Sequence, residues 1–332
     1  MKLLILGGTH FIGRAFVEHL LEVNAGHDTT LFNRGITNAQ IFPELRKITG
    51  DRETDDLNKV LSENWDCIID INGYYPNSLK GFLPKLKGKV GRYVYVSTVS
   101  VYDPGKYLGL VNQVAEDSPL LACTEEQRGG DWSMFYGEKK AECERILIQN
   151  DWLDKIILRP SIVYGKYDYT ERYYYWLQRM AKRERILIPD NGNERGNLTF
   201  VDDLARLLNS AISIPGHRIT YNAVTHPVNT LREKLDAITT VSARTPEFVS
   251  ISADALLEKG FKVGRAFPCV FGSDYIIYDI SKTQADLCVE FTEYGNSVAA
   301  AYKYYEQTTK WELGSRGLRY KEEDELIKFI SK

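Results

Sequence analysis

The chain has 332 residues, 43% of them hydrophobic and 26% charged, with a formal net charge of −3 at pH 7. That length accommodates one large or two modest domains around a sizeable core, and the composition excludes intrinsic disorder and fibrous repeats. The near-balanced charge offers no basic field for tight nucleic-acid or anionic-membrane binding, and no apolar run approaches the roughly 18 residues of a membrane span.

The opening MKLLILGGTH has one lysine and a short apolar stretch followed by glycines. It reads as a first strand rather than a signal peptide, so a cytoplasmic location is expected. Lys2–Leu6 runs into Gly7-Gly8. Phe11–Val23 then has helical spacing, with Phe11, Ala15, Phe16, His19 and Leu20 recurring at three and four residues. After a turn at Asn24–Gly26, Asp28–Asn33 reads as the second strand. Cys67–Ile71, Tyr93–Ser97 and Lys155–Leu158 are further short strands separated by helix-length segments. Strands alternating with helices predict an α/β chain with a doubly wound parallel sheet covered on both faces.

Beyond Arg159-Pro160 the rhythm changes. Tyr164–Asp168 reads as a loop, Thr170–Ile186 as an aromatic-rich helix, Pro189–Asn197 as turns and Val201–Ile214 as a helix. The last hundred or so residues mix short strands and helices, and no Pro/Ser-rich tether separates them from the first half. The five cysteines (Cys67, Cys123, Cys143, Cys269, Cys288) include no CxxC pair and read as reduced thiols. The five histidines form no HExxH or HxH cluster, so no metal site is expected.

Four stretches carry chemistry. The first is Gly7-Gly8-Thr9-His10-Phe11-Ile12-Gly13, a glycine loop between a strand and a helix. It gathers free backbone N–H groups and the positive helix end at one point, where a diphosphate binds. Gly7 permits the tight turn and Gly13 close packing of helix on strand; His10 occupies the middle glycine position of the usual GxxGxxG pattern. The second is the end of the second strand. Asn33 lies 20 residues after Gly13, where NAD-binding folds carry an acid for the ribose 2′-hydroxyl. A neutral Asn33 followed by Arg34 favours a 2′-phosphate, hence NADP(H), with NAD(H) as the alternative. Asp51, after the expected third strand, is placed to accept from an adenine amino group.

The third is Tyr136-Gly137-Glu138-Lys139-Lys140, a YxxxK at the start of a helix running through Ile148. One helical turn puts Tyr136 and Lys140 on one face, where an ammonium beside a phenol favours phenolate and proton exchange with a substrate hydroxyl or carbonyl. The fourth is Val96-Ser97-Thr98-Val99-Ser100-Val101-Tyr102, a β-rich run ending in hydroxyl side chains at the expected cofactor crevice.

Together these residues resemble the extended short-chain dehydrogenase/reductase family, the NAD(P)-dependent epimerase/dehydratase group. The likeness continues through Leu158-Arg159-Pro160, Val163-Tyr164-Gly165, Val201-Asp202-Asp203-Leu204-Ala205 and Asp279-x-Ser281-Lys282. The resemblance implies a Rossmann domain over residues 1–164 with a returning segment at about 197–225. It also implies a smaller C-terminal α/β substrate domain over 165–196 and about 226–332, a homodimer, and a catalytic set of Thr98, Tyr136 and Lys140. Sugar 4,6-dehydratases of the group carry Asp-Glu directly after the catalytic Thr; Val99 and Ser100 stand there in this chain, which disfavours dehydration. The GGTxF(I/L)G start and the Arg159–Trp176 stretch resemble a subgroup of uncharacterised bacterial reductase-like proteins and chloroplast stem-loop-binding proteins.

The substrate is expected to be a small molecule, such as a sugar or sugar nucleotide, contacted by Tyr74, Tyr75, Tyr102, Arg172, Tyr173, Trp176 and Arg195. Aromatics suit a ring and arginines an anion. Of the two enzymatic readings, a nucleotide-sugar epimerase holding NAD tightly would need a diphosphate site in the C-terminal part. Only scattered cations (Arg172, Arg195, Arg218) are found there, so a reductase leads. The rival of another class is an RNA-binding or ligand-sensing protein, supported by the basic run Arg179–Arg185 (RMAKRER).

Overall fold

Twelve strands punctuate the computed structural model, which describes every residue except 25, 107–112, 217–218, 271–275 and 332. They are β1 (Lys2–Leu6), β2 (Asp28–Asn33), β3 (Arg46–Thr49), β4 (Trp65–Asp70), β5 (Val90–Val96) and β6 (Asp154–Pro160), then β7 (Ile162–Tyr164), β8 (Arg185–Pro189), β9 (Arg195–Phe200), β10 (Ile219–Ala223), β11 (His226–Thr230) and β12 (Glu247–Ile251). Seven of them make one sheet in the order β10-β6-β5-β4-β1-β2-β3, every pair parallel. This is the α/β doubly wound sheet that the alternation predicts. The remaining strands form a three-stranded sheet, β11-β9-β7, and a two-stranded one, β12-β8.

Successive residues of a strand face opposite sides of a sheet, and β1 is apolar on both. Leu3 and Ile5 pack under the helices Phe11–Glu22 and Val201–Ser213, while Leu4 and Leu6 pack under Pro76–Phe82 and Tyr136–Gln149. Each such buried aliphatic side chain contributes about 1.5–3 kcal/mol. The sheet runs outward from β1 in both directions, β2 and β3 to one side, β4 to β6 to the other. The connections leave a crevice at the carboxyl ends of the strands. A further apolar core forms around Tyr164, Trp176, Leu187, Leu235 and Val298, among the helices Tyr174–Lys182, Leu231–Ser242 and Tyr294–Thr308.

Three expected elements differ, the first being Pro189–Asn197, expected as turns, which holds the last residue of β8 and the first three of β9. The aromatic helix covers Tyr174–Lys182 rather than Thr170–Ile186, and Arg185 onwards is β8. Its start is delayed because Thr170 donates from its N–H and hydroxyl to Asp168 Oδ1 and Glu171 is left-handed at φ +55°, a turn that no helix continues through. The expected loop at Tyr164–Asp168 begins inside β7, which pairs with β9.

One buried polar network joins β5, β6, β10 and the Tyr136–Gln149 helix. Glu144 on that helix accepts from Arg159 Nε at 3.0 Å and Nη2 at 2.5 Å, and also from Ser97 Oγ. Arg159 Nη1 donates to Tyr102 Oη at 2.7 Å, and the Tyr102 hydroxyl donates to Asn222 at 2.6 Å. Glu144 is 0% and Arg159 2% exposed. Replacing Arg159→Met leaves a carboxylate buried without its cation. We expect about 3–5 kcal/mol of destabilisation in urea unfolding; a loss below about 1 kcal/mol would mean that water reaches Glu144.

Candidate functional site

A cleft of about 1080 Å³ opens where β1, β2, β4, β5 and β6 end. Its floor is the loop Gly7–Ile12. Gly7 and Gly8 have φ of +114° and +106°, a region closed to side chains with a Cβ, and a Cβ on Gly13 would sit 2.5 Å from Gly8 N. The loop is thereby pressed against the start of the Phe11–Glu22 helix. His10 is the N-cap and makes no side-chain cap bond, so the first helical N–H groups face the cleft without a side-chain acceptor. Gly13 itself lies beneath the loop and does not line the cleft.

At the end of β2, Asn33 and Arg34 line the cleft. Asn33 Oδ1 accepts from Gly35 N at 2.9 Å, which fixes the amide and turns Nδ2 away from that bond. Nδ2 is buried and has no hydrogen-bond partner among the described residues. Asp51 also lines this end, its Oδ1 accepting from Glu53 N at 3.0 Å.

Thr98, Tyr136 and Lys140 meet on the opposite wall. Thr98 caps the short turn Val99–Val101 and bonds Ser100, its Oγ1 accepting from Ser100 N at 3.2 Å. Gly137 explains the closeness of Tyr136 to this turn: any Cβ there would collide with Ser100 O. Lys140 is fully buried and donates to Gly73 O at 2.8 Å and Val96 O at 2.7 Å, with its ammonium 4.0 Å from the Tyr95 ring centroid. Burial pushes its pKa down to about 8, against which Cys143 and Asp70 act. Burial raises the Tyr136 pKa, partly offset by the Thr98 hydroxyl and the Arg172 charge. The expectation that Lys140 would depress Tyr136 is corrected here: desolvation of the phenol dominates, and the cation that opposes it is Arg172.

Sequence reading missed Arg52. It follows Asp51, lines the cleft, and forms a buried bidentate pair with Asp70 at 2.5 and 3.0 Å. Asn72 accepts from it at 2.8 Å, and Tyr93 Oη donates to Asp70 at 2.6 Å. A lone arginine after a strand carries no signal of this kind, because Asp70 and Tyr93 come from other strands.

Of the expected substrate contacts, Tyr74, Tyr75 and Arg172 line the cleft. Others are corrected. Trp176 is 1% exposed within the C-terminal core, its Nε1 donating to Pro268 O at 2.6 Å. Tyr102 is held in the Arg159 network, and Tyr173 is buried with its hydroxyl against that of Tyr294 at 2.8 Å. Arg195 is exposed at the start of β9, where its neighbours Gly196 and Asn197 line the cleft instead. Arg218 lies outside the described residues. The cleft also takes in Trp132, Tyr169, Tyr278 and Arg316, which no motif marked.

The basic run Arg179–Arg185 offers little free charge. Arg179 pairs with Glu323, Arg183 with Asp324 and Arg185 with Glu247. No helix among the described residues is long and apolar enough to cross a membrane.

Residues 83–223 match the model of the NAD dependent epimerase/dehydratase family, so the family resemblance read from the motifs holds over that segment. Among curated proteins the chain is 28% identical over 219 residues to chloroplast stem-loop binding protein of 41 kDa b from Arabidopsis thaliana, covering 61% of this chain and 53% of that protein. It is 25% identical over 226 residues to 2-alkyl-3-oxoalkanoate reductase from Stenotrophomonas maltophilia, covering 62% and 63%. The chain thus spans less than two thirds of the length of these relatives. Among solved structures it superposes on UDP-glucuronic acid 4-epimerase from Bacillus cereus in complex with NAD, with a TM-score of 0.70 at 19% identity, covering 92% of this chain and 99% of that one. The fold is the one shared with that structure.

The depressed Lys140 pKa has a consequence for stability. Its folded value of about 8 lies below the ordinary 10.5, so the charged form is penalised by folding. That penalty is present in full below about pH 8 and is relieved as pH rises towards 10.5. In urea unfolding, the parent should therefore gain stability relative to Lys140→Met between about pH 8 and pH 10. A gap that stays constant or shrinks would show that the ammonium is not penalised.

Proposed function

We propose that this chain is an NAD(P)-dependent oxidoreductase of the extended short-chain dehydrogenase type, acting at a carbinol or carbonyl carbon of a small molecule. The observation that carries this reading is one cleft lined by the glycine loop of β1 on one wall and by Thr98, Tyr136 and Lys140 on the other. The residues fit a dinucleotide: the Gly7–Ile12 loop presents uncapped helix N–H groups for its diphosphate, and the paired glycines leave room for close approach. A bound nicotinamide would supply or accept the hydride.

The protein's part is the proton and its placement. The Tyr136 phenol gives its proton to a substrate oxygen during reduction and is left as phenolate; in oxidation that phenolate takes the substrate's hydroxyl proton. The Thr98 hydroxyl orients that oxygen. Lys140 has three N–H donors, and two are spent on Gly73 O and Val96 O, which leaves one for a hydroxyl in the cleft. The same two carbonyls keep the ammonium still. At positions 99 and 100 a Val and a Ser offer no acid–base pair for eliminating water. The turnover of Tyr136→Phe should fall at least about a hundredfold with cofactor affinity unchanged, measured as nicotinamide absorbance in a carbonyl-substrate screen. Equal turnover would remove Tyr136 from the chemistry.

NADP(H) is the favoured cofactor. The buried, unpartnered Asn33 Nδ2 is a donor where a carboxylate acceptor would suit a 2′-hydroxyl, and Arg34 follows it. Donor and cation together suit a 2′-phosphate. Titration by nicotinamide fluorescence should give NADPH binding at least tenfold tighter than NADH, about 1.4 kcal/mol, with the preference lost in Arg34→Ala. Equal affinity would move weight to an epimerase that retains NAD.

A further inference from the structure

Two arginines that line the cleft share one anchor. Thr170 Oγ1 accepts from Arg172 Nε at 3.1 Å, and Thr170 O accepts from Arg316 Nε at 3.2 Å. Thr170 is itself fixed, donating to Asp168 Oδ1 from its N–H at 2.8 Å and its hydroxyl at 2.5 Å. Both guanidinium groups line the cleft. Each is tethered through its inner nitrogen, so its terminal NH2 groups remain for a ligand. No hydrogen bond or ion pair among the described residues occupies them, and Asp168, although near enough for Arg172 to act on its charge, forms no ion pair with it.

Charge is divided along the cleft. Its lining carboxylates, Asp51 and Glu53, both follow β3 at the end where Asn33 and Arg34 lie. Arg52 at that end is neutralised by Asp70, and Lys140 is buried in the wall with its ammonium on Gly73 O and Val96 O. Arg172 and Arg316 line the cleft too, and neither is paired with a lining carboxylate among the described residues. Beside Tyr136 the wall is aromatic. The Tyr74 and Trp132 rings lie 5.3 Å apart, and Trp132 meets Tyr136 edge-on at 6.4 Å and 82°. Trp132 packs on the Tyr74 and Tyr136 rings with one side and is still 44% exposed, which leaves apolar ring surface open in the cleft. Arg172, Arg316 and Tyr136 line the same cleft, so an anion at the arginines and the reacting oxygen share one space of about 1080 Å³.

We infer that Arg172 and Arg316 form an oxyanion subsite, and that the substrate is a compact carbonyl or carbinol compound with one carboxylate or phosphate group and an apolar or ring face lying on Tyr74 and Trp132. Two guanidinium forks set on a single residue match one oxyanion held from two sides. The location of the reactive carbon rests on the oxidoreductase reading; the subsite itself does not.

The test is calorimetry on the full chain, with and without saturating NADPH, using benzoate, phenyl phosphate, benzyl alcohol as a neutral ring, and UDP-glucose. One of the anionic ring probes should bind at least tenfold more tightly than benzyl alcohol. That affinity should fall at least tenfold in Arg172→Gln and in Arg316→Gln, with unchanged melting temperature and cofactor affinity within twofold. Arg172→Lys, which keeps the charge without the fork, should fall between, and Trp132→Ala should weaken all ring probes alike. A preference for benzoate assigns a carboxylate and a preference for phenyl phosphate a phosphate. Equal binding of the neutral probe, no binding of either anionic ring, or variants that bind like the parent would overturn the subsite. Tighter binding of UDP-glucose than of both ring probes would overturn the compact substrate. Anion binding through the arginines in a chain that takes no nicotinamide cofactor would instead defeat the oxidoreductase reading and leave the subsite standing.

Discussion

The buried ammonium of Lys140 is the constraint around which the cleft is arranged. A charge removed from water is costly unless its hydrogen bonds are met, and here two of its three donors are met by backbone carbonyls, Val96 O at the end of β5 and Gly73 O in the turn after β4. Those carbonyls must be held in place. Gly73 O also accepts from Tyr95 Oη at 2.7 Å, and the turn containing Gly73 lies tightly against Asp70, where a Cβ on Gly73 would come within 2.7 Å of the carboxylate. Asp70 is in turn fixed by Arg52 and Tyr93. The chain of contacts runs from the residue after Asp51, at one end of the cleft, to the helix that carries Tyr136. An arginine that looks incidental in the sequence therefore bears on the geometry at Lys140.

The opposite wall depends on the absence of side chains. The Tyr136–Gln149 helix can bring its first residue against the Thr98 turn only because Gly137 has no Cβ to meet Ser100 O. The Phe11–Glu22 helix can press onto the β1 loop only because Gly13 has none to meet Gly8. Tyr136 is preceded by Phe135 in a left-handed conformation, φ +56°, so the helix starts abruptly at the tyrosine. Both walls are thus set by close backbone approach, which fixes their separation more firmly than side-chain packing would.

How much of this could be read from the sequence follows from the range of each interaction. β1 and β2 have their expected bounds because their apolar runs end in glycine or polar residues that stop them locally. The glycine loop and YxxxK spacing are local too, and so were visible. Thr170–Ile186 was misjudged because its helical pattern crosses a turn made by Asp168 and a strand that exists only through pairing with β12. Trp176 looked like a cleft aromatic because a run of three tyrosines and a tryptophan does not say which faces the core. Arg52, Trp132 and Arg316 carried no signal, since the partners that give them meaning come from distant segments.

The asymmetry of the cleft follows from the sheet. Strands leaving β1 in opposite directions bring β2 and β3 to one end, with Arg34 and the acids that follow β3, while β4 and β5 bring Tyr74 and Thr98 to the other. The segment after β7 then crosses over the glycine-loop helix. Lys166 pairs with Glu18 at 3.2 Å, Tyr167 Oη donates to Glu18 at 2.7 Å, the Arg14 guanidinium lies 3.7 Å from the Tyr167 ring centroid, and the Tyr169 ring packs against His10 with centroids 4.3 Å apart and planes tilted by 31°. Three residues further on stands Arg172. The same short segment that clasps the helix behind the glycine loop therefore sets one of the two cleft arginines. His10, in place of the middle glycine, gives that clasp its stacking partner. A glycine there would remove the ring against which Tyr169 packs, and with it one of the contacts that tie the segment carrying Arg172 to the loop at the cleft floor.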